Sequence, residues 1–270
     1  MDESRSKVRT FYNGDPLSEW NRLDEHPFEF LLTTHMMDRY VRPGDRVLDI
    51  GGGPGRYSLY FAEKGCEVTL ADLSRSCAEF AKNRAKERNL ELRTVVSDCL
   101  DLDGLDLGEF DHVFLMGPLY HLKREADRIK AVELALARLK PGGNLYCSFI
   151  LDFAGVIFDM KNGPGLLPAD LANPDALKLL DSVADGTGYA GPGFTEVFLI
   201  NQKRIEPFMA RFGLEKLHLF GQEGILAPNE KQLLAYPEEE IALWVETAKR
   251  FLELPELFAF SEHAMFIGRK

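Results

Sequence analysis

An excess of basic charge, long apolar runs and clustered cysteines are all missing from this 270-residue chain. Lys and Arg number 32 against 43 Asp and Glu, a net charge of −11. That balance disfavours a broad footprint on polynucleotide phosphates. The most apolar long stretch, residues 143–160, is broken by Asp152 and Asp159, and the opening MDESRSKVRT holds no apolar core of a signal peptide. Neither secretion nor a membrane span is indicated, and a cytoplasmic protein is expected. Its four cysteines, Cys66, Cys77, Cys99 and Cys147, form no Cys-x-x-Cys pair, which fits buried small apolar residues in a reducing compartment and suggests no metal site. Internal repeats and low-complexity tracts are absent too.

What remains is ordinary globular composition, 45% hydrophobic and 28% charged, enough to bury a core unaided. The most informative stretch is DIGGGPG, Asp49 to Gly55, directly after the apolar pair Val47-Leu48. Glycines are needed where a chain takes positive φ or approaches a ligand closely, and a helix opening near Arg56 aims its free N–H groups at that ligand. A dinucleotide fingerprint requires Gly-x-Gly-x-x-Gly, but from Gly51 the third glycine falls on Arg56, and from Gly53 it falls on Ser58. A nicotinamide dehydrogenase is therefore disfavoured.

From residue 46 to about 150, short apolar runs (RVLDI, CEVTLA, LRTVV, FDHVFLM, NLYCSFI) alternate with helix-period segments at 56–64, 74–89 and 123–140. Alternating βαβ units imply a parallel sheet covered on both faces. In 123–140 the apolar residues Ile129, Val132, Leu136 and Leu139 share one face, and Lys140-Pro141-Gly142-Gly143 stops the helix. The rhythm breaks after 151. FTEVFLI and LEKLHLF are strand-like around a helical 202–212, a helix is expected over 238–253, and HAMFIGRK is a final strand.

Asp49-x-Gly51-x-Gly53-x-Gly55, Asp72 closing the second strand, Ser97-Asp98-Cys99 closing the third, and Met116-Gly117-Pro118-Leu119-Tyr120-His121 closing the fourth stand in order, followed by Lys140-Pro141-Gly142-Gly143. This series resembles the motifs of class I S-adenosylmethionine-dependent methyltransferases, and among these the bacterial small-molecule type. The resemblance implies an α/β, Rossmann-like, doubly wound, mostly parallel seven-stranded sheet with its last strand antiparallel and helical lid insertions. It further implies N-terminal cap helices over the cofactor at 1–45, a core at 46–151 and 194–270, and substrate-side insertions at 152–193 and 225–260. The expected activity is transfer of a methyl group from S-adenosylmethionine to a small-molecule acceptor, by a monomer or homodimer.

Site residues follow from the same resemblance. Gly51, Gly53 and Gly55 approach the cofactor's amino acid end, and Asp49 either orients its methionine part or braces the glycine turn. Asp72 either accepts from both ribose hydroxyls or caps the next helix with Ser74. Asp98 accepts from the adenine amino group while Cys99 offers its backbone N–H, and Leu73 and Met116 line the cofactor. Tyr12, Trp20 and Arg22 lie on the segment folded over it: an aromatic covers the sulfonium and an arginine pairs with the carboxylate. Trp20 is equally readable as a core anchor. His121 is the candidate general base, or a histidine satisfying a backbone group, with Tyr120 lining the same space or merely packing. Glu196 and Glu223 stand near the expected substrate pocket but read more readily as solvated carboxylates. His26 and His35 have no partners at ligand spacing and are assigned no chemistry.

Two further rivals remain. A nucleobase or glutamine methyltransferase wants Asn/Asp-Pro-Pro-Tyr/Phe where this chain has Met116-Gly117-Pro118-Leu119-Tyr120, so a nucleic-acid or protein substrate is the lesser alternative. A non-catalytic cofactor-binding module is another, since fold does not fix function.

Overall fold

A computed structural model describes residues 3–163, 165 and 167–270. Met1 and Asp2 of the expected 1–45 cap, and Pro164 and Leu166 of the 152–193 insertion, lie outside the described residues. Three helices open the chain: α1 (Glu3–Gly14), α2 (Pro16–Glu25) and α3 (Pro27–Met37). Strands and helices then alternate as β1 (Arg46–Ile50), α4 (Arg56–Glu63), β2 (Glu67–Asp72), α5 (Arg75–Glu87), β3 (Arg93–Val96), β4 (Phe110–Leu115), α6 (Glu125–Ala137) and β5 (Leu139–Leu151). The rest comprises α7 (Ala154–Asn162), α8 (Leu167–Leu171), α9 (Pro174–Asp185), β6 (Tyr189–Pro192), β7 (Glu196–Ile200), α10 (Ile205–Met209), β8 (Glu215–Gly221), α11 (Glu230–Leu233), α12 (Glu238–Lys249) and β9 (His263–Arg269).

Seven strands form the main sheet in the order β3-β2-β1-β4-β5-β9-β8, with β1 to β5 parallel and β9 antiparallel to both neighbours. This is the expected doubly wound sheet. Its double covering follows from side-chain alternation along each strand. Leu48, Val113, Leu115, Leu145, Cys147, Ala264 and Phe266 point into one cluster, while Val47, Phe114, Tyr146, Met265 and Ile267 point into the other. Helix α6 covers the first face with Ala131, Val132, Leu134 and Ala135, and α3 covers the second with Phe28, Leu32, Met36 and Met37.

Two features depart from the sequence reading. FTEVFLI was expected to return the chain to the core, but its strand β7 pairs along its length with β6 as an antiparallel hairpin. The hairpin joins the main sheet only where Ile150 and Leu151 meet Leu199 and Ile200. Core strand β8 comes later. Lys140-Pro141-Gly142-Gly143 does follow the helix end at Ala137, yet it is a looped-out segment within β5: Phe110 pairs with Leu139 and His112 already with Asn144. No helix among the described residues is long and apolar enough to cross a membrane.

Candidate functional site

The loops after β1, β2, β3 and β4 meet at the carboxyl ends of the parallel strands, where open α/β sheets bind ligands. They line one cavity with Asp49, Gly51, Gly53, Asp72, Leu73, Asp98, Cys99, Met116, Tyr120 and His121, together with Tyr12 and Arg22 from the N-terminal helices. Most of the residues singled out in the sequence are thus brought together. Gly55 and Trp20 are not.

The glycine turn shows why residue type matters at each point. Gly51 has φ +72°, and a Cβ there would stand 2.6 Å from the Pro118 ring, so only glycine lets the first and fourth loops close on each other. Gly55, at φ +87°, turns away from the cavity, and its absent Cβ makes room for Ala81 of α5, 2.8 Å away. Its role is helix packing.

Asp72 is buried, and of the two roles the sequence left open its contacts are those at the start of the next helix, with a further bond to the glycine turn. Its Oδ2 accepts from the Gly53 N–H at 2.8 Å and its Oδ1 from the Ser74 N–H at 2.7 Å, while Ser74 itself caps α5 through the Cys77 N–H. Burial pushes its carboxyl up to about 6, against the lowering effect of those two N–H groups. Asp49, also buried, accepts from the Ser58 hydroxyl at 2.7 Å, and burial raises it to about 7. Asp98 accepts from Arg5 Nη1 at 2.7 Å and from the Leu100 N–H at 3.0 Å. Arg5 was not found from sequence, since nothing local ties residue 5 to residue 98.

Trp20 belongs to the core. It packs with Leu59, Ala85 and Phe80, and the Arg56, Arg84 and Arg88 guanidiniums stand over its ring. The expectation that it covers the cofactor is corrected: an indole in that packing has no face left for a ligand. Arg22 reaches the cavity, but its guanidinium is paired with Glu19 and Glu29, each at 2.9 Å.

His121 lines the cavity with both ring nitrogens engaged. Nε2 meets the Tyr12 hydroxyl at 2.9 Å and Nδ1 the Glu196 carbonyl at 3.1 Å. Burial lowers its pKa to about 4. A histidine held below its unfolded value makes the unfolded state bind the extra proton, so its contribution is present above about 6.5 and is lost as pH falls toward 4. We expect its ring carbon protons, followed by NMR, to stay unshifted from pH 5.5 to 9; a titration centred between 6 and 8 would refute the neutral assignment.

A second cavity, of about 470 Å³, adjoins the first. Its walls come from α1, from α7 and α9, and from the β6–β7 hairpin, including Phe11, Phe158, Leu179, Phe194 and Val197. Tyr12, Glu19, Arg22, Glu29, Tyr120 and His263 line both cavities and so form the partition between them. Tyr120, for which burial raises the pKa, stays a neutral phenol.

Several of these groups escaped the sequence reading. Glu223 is not a solvated carboxylate: it is buried and bonds His263 Nδ1 at 2.5 Å and the His263 N–H at 3.0 Å. His26, assigned no chemistry, lines the second cavity and meets Glu230 at 2.7 Å. Glu196 is held by Lys123 and Lys7 instead of entering either cavity. Glu29 carried one legible signal, a lone acid inside the otherwise apolar α3 sequence PFEFLLTTHMM. Ser148 Oγ and Gln222 Oε1 are buried without a hydrogen-bond partner among the described residues, and both residues line the first cavity. Orphaned polar atoms of this kind, beside a glycine turn and two strand-end carboxylates, fit a cofactor with a polar amino acid end and a ribose.

Residues 47–143 match the family described as a methyltransferase domain. Among curated proteins, the ubiquinone biosynthesis O-methyltransferase of Xanthomonas campestris pv. campestris (strain B100) is 34% identical over 110 residues, 41% of this chain and 45% of that relative. The match thus spans less than half of the relative's own length. The crystal structure of magnesium protoporphyrin IX methyltransferase from Synechocystis PCC 6803 with bound S-adenosylhomocysteine is similar with a TM-score of 0.60 at 14% identity, covering 99% of this chain and all (100%) of that one. The cyclase SpnF is also similar, with a TM-score of 0.56 at 18% identity over 95% of this chain and 85% of its own. At such identities the likeness is one of fold.

Proposed function

We propose that this chain, which carries a methyltransferase domain on the class I fold, transfers the methyl group of S-adenosylmethionine to a small-molecule acceptor. The observation that carries this reading is the partition: one cavity bears the strand-end motifs, another is largely apolar, and six side chains are common to both. When bound, the cofactor's sulfonium supplies an activated methyl group and its own leaving group. The chain's task is then to hold an acceptor in line with that methyl and to keep water away, and orientation of this kind is worth effective molarities up to about 10⁵–10⁸ M.

Asp72 would accept from the ribose hydroxyls with the lone pairs its two backbone donors leave free, and Asp98 from the adenine amino group. Ser148 and Gln222 are the free polar partners for the amino acid end. His121 serves here as a positioning residue: it fixes the Tyr12 hydroxyl at the partition, its own nitrogens being occupied. The acceptor would sit against α7, α9 and the β6–β7 hairpin. Relatives named as O-methyltransferases, matched over 110 residues, favour oxygen as the nucleophile. The four unpaired cysteines are consistent with the cytoplasm.

Calorimetry tests the reading first. S-adenosylmethionine and S-adenosylhomocysteine are expected to bind with dissociation constants near about 1 μM, or about −8 kcal/mol. Absence of both heat and thermal shift with either ligand would sink it. Cofactor binding without label transfer from methyl-tritiated S-adenosylmethionine to any small molecule of a metabolite extract would instead favour a non-transferring role on this fold.

A further inference from the structure

One member of the partition is built to move a proton. We infer that His263 is the general base of the transfer, removing the proton from a hydroxyl group of a neutral, apolar acceptor seated in the second cavity, with Glu223 as its positioning residue. This rests on the transfer reading above and assigns its chemistry.

The geometry is that of an oriented base. Glu223 takes Nδ1 with one carboxylate oxygen at 2.5 Å and the His263 backbone N–H with the other at 3.0 Å, so the imidazole is fixed at both ends of the contact. Nε2 has no hydrogen-bond partner among the described residues, and the ring lines both cavities. His121 lacks both properties: its two nitrogens are occupied and it does not reach the second cavity. An orienting carboxylate on one nitrogen and a free second nitrogen at the reacting boundary are what general-base work requires.

The acceptor class follows from the second cavity. Its largely apolar walls also carry five carboxylates, Glu19, Glu29, Glu223, Glu230 and Glu262, against Arg22, Lys161, His26 and His263. Carboxylate or phosphate acceptors are repelled there. An ammonium would be held protonated by the same acids, which removes the lone pair it must use. A neutral hydroxyl escapes both penalties but needs a base. As that hydroxyl's oxygen bonds to the methyl carbon, its proton passes to Nε2 and the S–CH₃ bonding pair returns to sulfur. The imidazolium so formed is the resting form, and it gives its proton to solvent when the next S-adenosylmethionine binds.

The charges around His263 also give the reaction a proton switch. Burial lowers its pKa, but Glu223 and Glu29 together outweigh burial and the opposing Arg22, and hold it at about 9. Tyr120 faces it from the loop after β4, and Lys161 lies beyond, paired with Glu262 and Glu230. At rest it is therefore an imidazolium. A methyl passed between the cavities requires the sulfonium near the partition, and that positive charge drives the proton off and readies the base.

Calorimetry at pH 8 in two buffers of different ionisation heat reads this directly. S-adenosylmethionine is expected to release a proton fraction that neutral S-adenosylhomocysteine does not, and His263→Gln removes the difference while still binding S-adenosylhomocysteine. Glu223→Gln moves the release to lower pH, because the imidazolium loses the carboxylate on Nδ1. With phenol, catechol and 2-naphthol as probes beside benzylamine and benzoate, only the phenols are methylated, and His263→Gln lowers kcat by roughly 10²- to 10⁴-fold with KM little changed. Equal proton release by the two ligands, or an unchanged kcat in His263→Gln, overturns the base. Methylation of benzylamine or benzoate alone overturns the acceptor class. Activity lost to EDTA and restored by Mn²⁺ overturns the base by giving the three side chains to a cation. Failure of S-adenosylmethionine to bind at all is distinguishable, because it sinks the transfer reading instead.

Discussion

Asp72→Ala weakens S-adenosylmethionine binding by about 1.5–3 kcal/mol, roughly 10- to 150-fold, the range for hydrogen bonds to a charged group. The fold should survive, because the Gly53 and Ser74 N–H groups that lose their acceptor sit beside a cavity that water can enter. The wild-type protein adds a pH signature. Burial raises the folded carboxyl from 3.8 to about 6, so the folded state holds this proton more tightly than the unfolded chain does. The ionised form's cost to stability is absent below 3.8 and is fully present once pH passes 6. Ribose hydroxyls donate to the ionised form, so affinity falls as pH drops below about 6, by at most about tenfold per pH unit from this one group. Asp72→Ala should flatten that slope, leaving only what belongs to Asp49, held at about 7. Titrations at pH 5 and 7.5 decide it. If the variant binds as the parent does at both, Asp72 only braces the glycine turn.

The parts of the site that were legible in the sequence are those made by short segments at strand ends. The glycine turn, Asp72, Asp98 and the Met116 to His121 loop each follow an apolar run, and the parallel sheet then places them together without further information. The partition was not legible for the same physical reason. Glu29, Glu223 and His263 come from a helix, a post-strand loop and a strand start, and only the stacking of α3 on the sheet beside β8 and β9 brings their side-chain atoms within 4.8 Å of one another. Residue type misled where burial decides chemistry: His121 carries a base's ring but no free nitrogen, and Glu223 carries a surface residue's charge in the interior. The β6–β7 hairpin was missed because Tyr189–Pro192, placed within the 152–193 insertion with no strand assigned, contains a glycine and a proline in four residues. Its strand character comes from pairing with Glu196–Ile200, not from its own composition.

The first forty-five residues were read as one cap, and their packing divides them. Helix α3 is core, with Phe28, Leu32 and Met37 fully buried. Trp20 anchors α2 under three arginines. Helix α1 buries only Val8, and its ties run to the site: Arg5 to Asp98, the Tyr12 hydroxyl to His121, and the Ser74 hydroxyl to the Tyr12 carbonyl. Two variants should therefore fail in opposite ways. Trp20→Ala removes a buried indole and should cost about 3–5 kcal/mol of stability, lowering the melting temperature by on the order of 10 °C. Deleting residues 1–14 should lower the melt far less, yet weaken S-adenosylhomocysteine binding by roughly tenfold or more, because it removes one wall of both cavities and opens the site to water. Hydrogen exchange of residues 3–14 should slow when that ligand is added. If the deletion collapses the melt while exchange in α1 ignores the ligand, α1 is part of the core and the cover must be sought among α7, α9 and the β6–β7 hairpin.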